Sequence, residues 1–133
     1  MGMARTGQSL VFLDTNAILW LYAGTYQRFS KRVQQMIDTA SLLYSPLSAL
    51  EIQYLYELDK ITQLPDVVIQ TLQNDFDLQV SSSLFSSVIV IAIRNTWTRD
   101  VFDRVIVADA QINNALLITA DKTIQKHYKK ALI

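Results

Sequence analysis

The sequence predicts an α/β fold of three layers, in which helices cover both faces of a short, mainly parallel central sheet. Half of the 133 residues are hydrophobic and 18% are charged, which suits one domain with a substantial core and excludes a disordered chain. Short apolar runs typical of buried strands alternate with longer amphipathic segments typical of helices. This alternation favours parallel strands joined by helical crossovers.

The first strand leads directly into a carboxylate. An apolar run predicts a strand over residues 9–13, Asp14 follows it, and a helix is predicted from Ala17 to Tyr22 with Asn16 as its cap. Ligands of open α/β sheets bind beyond the carboxyl ends of the strands. A carboxylate in such a place costs desolvation energy unless a cation or hydrogen-bond donors compensate it, so Asp14 is a candidate site residue.

A second helix, a second strand and a third helix follow. Ser30 is predicted to cap a helix over residues 31–40, whose apolar residues fall on one face. The apolar run at residues 42–45 predicts the second strand. Ser45 is a capping residue followed by proline, which suits the first helical position, and it starts a helix that runs to about Lys60.

The third helix carries a second acid of interest, Glu51. Apolar residues at helical spacing predict a stripe that faces the core: Leu47, Leu50, Tyr54, Leu55 and Leu58. Glu51 falls on this stripe. Glutamate is rarely buried in proteins unless it is paired, so a carboxylate on the core side of an amphipathic helix is unusual. We therefore expect Glu51 to belong to a functional site.

The second half of the chain carries the remaining acids. Asp100 and Asp103 stand at the start of a helix, where the helix dipole favours negative charge, and Asp121 opens the C-terminal helix. The predicted elements are a helix over residues 67–76, a strand over 77–81, a strongly apolar internal helix over 84–93, a helix over 105–114, and a core strand over 116–119.

Four of these acids have an apolar setting and no cation one helical turn away on their own element: Asp14, Glu51, Asp103 and Asp121. If they meet in one pocket, their repulsion raises their pKa values, and hard divalent cations relieve it. Carboxylates without cysteine and with a single histidine select Mg²⁺ or Mn²⁺. Such cations activate water and stabilise in-line displacement at phosphorus, which predicts phosphodiester hydrolysis.

The same regions resemble the motifs of PIN-domain ribonucleases, and in particular of the VapC-type toxins of bacterial toxin–antitoxin pairs. The matching segments, in order, are residues 13–17 with Leu19 and Trp20 behind them, residues 45–51, residues 99–104 with 106–110 behind them, and residues 117–121. The resemblance implies one PIN-like domain over residues 1–133, with 1–8 as a flexible tail. It also implies a metal-dependent endoribonuclease.

The resemblance assigns roles residue by residue. It implies that the catalytic acids, which also bind Mg²⁺ or Mn²⁺, are Asp14, Glu51, Asp103 and Asp121. Asp100 matches an additional acid of the motif and is a further candidate metal ligand. Whether Asp100 or Asp103 is the main third acid stays open, and Asp109 complicates that assignment.

Other polar residues of the matching segments have supporting roles. Thr15, Asn16 and Thr119 match residues that position metal-bound water or ligand carboxylates. Arg99 and Arg104 flank the acidic motif, and we expect them to contact substrate phosphates. His127, the only histidine, is expected at a solvated helix end, and the tryptophans are expected to pack in the core or in a dimer.

The resemblance also implies three partners: an RNA substrate, a cognate antitoxin that inserts a segment into the acidic pocket, and a second copy in a homodimer or higher homo-oligomer. The chain shows no signal peptide and no apolar run of bilayer length, so a cytoplasmic protein without membrane contact is expected. Two alternatives remain. One is a catalytically inactive PIN-like module that binds protein or RNA, and the other is a response-regulator-like phospho-acceptor domain.

Overall fold

The computed structural model describes residues 9–133, and the predicted N-terminal tail lies outside the described residues. The strands are β1 (Leu10–Leu13), β2 (Ser41–Tyr44), β3 (Gln79–Val80), β4 (Leu116–Ile118) and β5 (Ala131–Leu132). They form one sheet in the order β3-β2-β1-β4-β5, and every neighbouring pair is parallel. Response regulators have the order 2-1-3-4-5, so the phospho-acceptor alternative is wrong.

Seven α-helices connect these strands within residues 9–133. They are α1 (Thr15–Tyr22), α2 (Lys31–Thr39), α3 (Pro46–Glu57), α4 (Pro65–Phe76), α5 (Phe85–Arg94), α6 (Val101–Ile112) and α7 (Lys122–His127). Ser30 and Ser45 cap α2 and α3 through their side chains, as predicted. In this part of the chain, every helix is too short or too polar to span a bilayer.

The central strand separates two hydrophobic clusters. Val11 and Leu13 of β1 belong to a cluster with α1, α2 and α4, whereas Phe12 points to the other face and joins residues of α6 and α7. All three side chains are fully buried. Successive side chains of a strand point to opposite faces, so this division confirms the predicted three-layer α/β fold with helices on both sides of the sheet.

Helix α5 is not internal, which corrects the prediction for residues 84–93. It buries Val88 and Ala92 against α6. By contrast, Leu84, Phe85 and Ile93 expose 70%, 61% and 64% of their surface. Hydrophobic spacing marks the apolar faces of a helix, but it does not show which of them the same chain covers. In α5 one apolar side packs on the domain and the other stays exposed.

Helix α3 is also rotated from its predicted orientation. Its buried residues are Ser48 and Ile52, whereas Leu50 and Tyr54 of the predicted core stripe expose 57% and 50% of their surface. Glu51 therefore lies partly buried at the edge of the covered face. The expectation that it sits among core residues is wrong. Instead, its surroundings are set by the neighbouring start of α1, as described below.

Asp109 is buried for a structural reason. The Ser81 hydroxyl donates a hydrogen bond of 2.8 Å to its carboxylate, and Asn113 Nδ2 lies 3.3 Å from the same oxygen. Burial raises the pKa of Asp109, and the hydroxyls of Ser81 and Ser83 lower it. The Asp109 carboxylate thus links the loop before α5 to α6.

Candidate active site

Asp14 lies at the junction of β1 and α1. It caps α1 through its own carboxylate, which accepts a hydrogen bond of 2.8 Å from the Ala17 N–H. Helix α1 therefore begins at Thr15, and the prediction that Asn16 caps it is wrong. Asn16 is exposed, whereas the side chain of Asp14 is 8% exposed.

Thr15 connects Asp14 to the second acid. Its hydroxyl donates a hydrogen bond of 2.5 Å to Glu51 Oε1, so the start of α1 holds the middle of α3. Thr119 follows β4, is fully buried, and likewise connects two of the acids. Its Oγ1 accepts the Asp121 N–H at 3.0 Å, and its hydroxyl lowers the pKa of Asp14.

The remaining acids cap or begin helices at the same edge of the sheet. Leu13 of β1 pairs with Ile118 of β4, so the segments that follow these two strands are neighbours. Asp121 caps α7 and accepts N–H groups of that helix at 2.8 and 3.0 Å. Asp100 caps α6 and accepts the Asp103 N–H at 3.1 Å.

The acids share one electrostatic environment. Burial, followed by the charges of Glu51 and Asp121, raises the pKa of Asp14 to about 6. Burial and then the charges of Asp100, Asp121, Glu51 and Asp14 raise the pKa of Asp103 to about 7. The pKa of Glu51 is raised by burial and by Asp100. The charges of all four other acids thus raise the pKa of Asp103, and Asp100 contributes to the raised pKa of both Glu51 and Asp103.

These shifts make the ionised site unfavourable. The pKa of Asp14 is 3.8 in its ordinary state and about 6 in the fold, so between those values the folded protein keeps a proton that the unfolded chain releases. Stability therefore falls as pH rises through this window, by on the order of 3 kcal/mol for this group. The contributions that oppose the shift of Asp14 are hydrogen bonds, and they do not neutralise the charge.

The acids suit a hard divalent cation in chemistry but are not yet gathered around one. Asp14, Glu51 and Asp103 offer only carboxylate oxygens, the ligands that Mg²⁺ and Mn²⁺ prefer. Within residues 9–133, however, no three acidic or histidine side chains are close enough together to form a finished metal site. These side chains would hold a cation only after rotating toward it.

The two arginines expected at the substrate are engaged with their own loop. Arg99 Nη1 donates to the Thr96 carbonyl at 2.9 Å, and Arg104 Nε donates to the Thr98 carbonyl at 2.8 Å. Each contact uses one of the five N–H groups of a guanidinium. Arg99 and Arg104 thus fix the loop before α6, and their contact with a substrate phosphate stays a prediction.

The sequence does not predict one aromatic contact between the loop before α6 and helix α7. Trp97 of the same loop stacks on His127, the last residue of α7, with parallel ring planes. The two residues are far apart along the chain, and neither lies in a matching motif. Only the packing of α7 against α6 and the loop before it brings them together.

Comparison with known proteins agrees with this architecture. The fold is similar to that of VapBC2 from Rickettsia felis bound to a DNA fragment from their promoter, with a TM-score of 0.65 and 13% identity over 92% of this chain and 96% of that one. It is also similar to a toxin–antitoxin complex from Klebsiella pneumoniae, with a TM-score of 0.60 and 15% identity over the same shares, 92% and 96%. A comparison with curated proteins gives no match. Residues 11–130 match the PIN domain, and this chain therefore belongs to the PIN domain family.

Proposed function

We propose that the protein is a metal-dependent endoribonuclease that hydrolyses RNA phosphodiester bonds, and that it is the toxin of a toxin–antitoxin pair acting in the cytoplasm. Membership of the PIN domain family supports a nuclease. The observation that carries the proposal is the electrostatic coupling of acids from separate segments, which raises the pKa of Asp14 to about 6 and that of Asp103 to about 7. Such coupling favours a site that binds divalent cations.

In this proposal Asp14, Glu51 and Asp103 hold Mg²⁺ or Mn²⁺, with Asp121 and Asp100 at the rim. A cation bound there lowers the pKa of water and offsets charge at the reacting phosphate. Thr15 fixes the orientation of Glu51 through its hydrogen bond. Burial and the neighbouring carboxylates raise the pKa of Asp103 to about 7, a repulsion that a bound cation would relieve. Asp14 is held in place by the first turn of α1.

Asp14→Asn tests the proposal most simply. The amide oxygen can still accept the Ala17 N–H, so the variant is expected to keep its fold by circular dichroism. It loses one ligand charge, and cleavage of labelled single-stranded RNA with Mn²⁺ is expected to fall at least ~100-fold. Asp75→Asn, at an exposed position of α4, is the control and should cleave like the parent. Equal cleavage by Asp14→Asn would refute the assignment.

The inactive PIN-like module is the second candidate, and the spacing of the acids favours it: within residues 9–133 no three of them form a finished metal site. This alternative predicts that the parent protein binds RNA or protein without cutting RNA at any concentration of Mg²⁺ or Mn²⁺. The same cleavage assay therefore separates the two candidates, because the alternative requires an inactive parent.

We also propose a cognate antitoxin as partner. The similar structure from Klebsiella pneumoniae is a toxin–antitoxin complex, which supports this for a chain of the same fold. An apolar groove of about 460 Å³ runs beside α1, and its lining includes Leu19, Trp20, Tyr22 and Ile61. The groove lies at the C-terminal end of α1 and Asp14 caps the other end of this helix. A partner segment would therefore have to continue along α1 from the groove to cover the acids.

Ala23→Glu tests the groove as the antitoxin site. Ala23 is exposed and lines the groove. A glutamate side chain at this position therefore places a charge in the groove and leaves the hydrophobic core unchanged. The test first looks for a small protein encoded directly beside this gene, and any such protein is co-expressed with the chain as the candidate partner. It is expected to copurify with the parent and to suppress RNA cleavage, whereas Ala23→Glu should weaken copurification about tenfold and keep its own cleavage. Undiminished copurification with the variant would place the partner elsewhere.

The exposed face of α5 supports a homodimer. Phe85, Val90, Ile93 and Val101 of the adjoining α6 each expose more than half of their surface. Together with Leu84 they offer on the order of 500 Å² of apolar area, the core of an interface that typically takes about 800 Å² from each partner. A second copy of this chain provides the same apolar surface in return.

Ile93→Asp tests the dimer. A charge at the centre of this face is expected to shift the protein from dimer to monomer in sedimentation velocity at micromolar concentration, because its burial is unfavourable. Val67→Asp is the control, since Val67 is 44% exposed on α4, away from α5. A dimer that persists in Ile93→Asp, or a monomeric parent, contradicts the assignment.

A further inference from the structure

The Trp97–His127 stack joins two segments that carry acids of the site. Its ring centroids are 4.9 Å apart and the ring planes differ by 4°. Trp97 precedes Asp100 by three residues and lies in the loop that leads into α6, whereas His127 ends the helix that Asp121 caps. The stack is therefore a direct side-chain contact between the loop that leads into α6 and the helix that Asp121 caps.

On the loop side, hydrogen bonds make Trp97 move together with the start of α6. Arg104 Nε donates to the carbonyl of Thr98 at 2.8 Å, and the Thr98 hydroxyl accepts the Asp100 N–H at 3.2 Å. Asn95 Nδ2, before the loop, donates to the Arg104 carbonyl at 3.1 Å. A displacement of Trp97 therefore strains the residues that place Asp100 and the first turn of α6.

On the helix side, a short chain of hydrogen bonds connects the imidazole with Asp121. His127 Nδ1 lies 3.0 Å from the Thr123 carbonyl oxygen, and the Thr123 N–H donates to Asp121 Oδ1 at 2.8 Å. Helix α7 has only six residues, so a shift at its C-terminal end is transmitted to its first residues. The orientation of His127 is thus tied to the position of the Asp121 carboxylate.

We propose that the Trp97–His127 stack sets the distance between Asp103 and Asp121, and that both aromatic residues are positioning residues of the nuclease site. The proposal rests on the proposed function. If a cation is bound at this site, the stack would limit how far the segments that carry Asp103 and Asp121 separate. Misplacement of a group by about 1 Å can cost ~100-fold in rate, so a modest loosening of this contact is expected to be measurable.

Two alanine variants and one conservative variant test the stack through catalysis. Trp97→Ala and His127→Ala are each expected to lower kcat for RNA cleavage about tenfold and to leave KM within about twofold, because RNA binding does not depend on the spacing of the acids. His127→Phe keeps a flat ring but loses the contact of Nδ1 with the Thr123 carbonyl, so it should retain kcat within about threefold of the parent. The double variant Trp97→Ala/His127→Ala should lose no more than either single variant, since both remove the same contact.

A fluorescence experiment tests the same proposal without catalysis. The chain has two tryptophans, so Trp20→Phe leaves Trp97 as the only indole, and its emission reports on the stack. Titration with Mg²⁺ is expected to change this emission, because binding that draws the acids together must also bias the stack. In Trp20→Phe/His127→Ala the emission should no longer respond to Mg²⁺, and Mg²⁺ should bind about tenfold more weakly in calorimetry.

The outcomes separate this proposal from the function on which it rests. A parent that neither cleaves RNA nor binds Mg²⁺ refutes the proposed function. A parent that does both, with a His127→Ala variant of unchanged kcat and unchanged Mg²⁺ affinity, refutes the role of the stack alone. A His127→Phe variant as impaired as His127→Ala also overturns it, because the loss then comes from the imidazole and not from stacking.

Discussion

Repulsion among carboxylates at one edge of the sheet is the constraint on which the rest of this site depends. The segments after β1 and β4 are neighbours because the two strands pair in parallel, and α3 and α6 bring further acids to the same edge. Burial and neighbouring negative charges raise the pKa values of Asp14 and Asp103 together. Like charges that share one electrostatic environment without a cation lower the stability of the fold at neutral pH.

Backbone N–H groups offset part of this cost. Three acids, Asp14, Asp100 and Asp121, cap α1, α6 and α7 respectively, where helix dipoles favour negative charge. Glu51 lies in the middle of α3 and Asp103 in the first turn of α6, and neither caps its helix. Thr15 supplies a hydrogen-bond partner for Glu51. Each capping acid thereby has a fixed position, and the acids within helices are the ones that a cation would most rearrange.

The sequence predicted the parts of this structure that local chemistry decides. The apolar run ending at Asp14 and the serine caps of α2 and α3 need only neighbouring residues to form. Packing decides the rest. The exposed faces of α3 and α5 have the same apolar spacing as buried ones, β5 has two residues and no pattern, and the Trp97–His127 contact joins residues thirty positions apart. Asp14, and not Asn16, caps α1 because the Asp14 carboxylate lies where it accepts the Ala17 N–H.

The measurement that tests the central claim most directly is the free energy of unfolding of the parent and of Asp14→Asn, at pH 5 and pH 7.5, with and without Mg²⁺. Without Mg²⁺ the parent is expected to lose about 1.4 kcal/mol more than the Asn variant between these pH values, because only the parent ionises Asp14, and the loss falls mainly between pH 5 and the pKa of about 6. Saturating Mg²⁺ at pH 7.5 should restore about that amount to the parent and little to the variant. Equal pH dependence in both proteins, together with equal effects of Mg²⁺, would contradict the account.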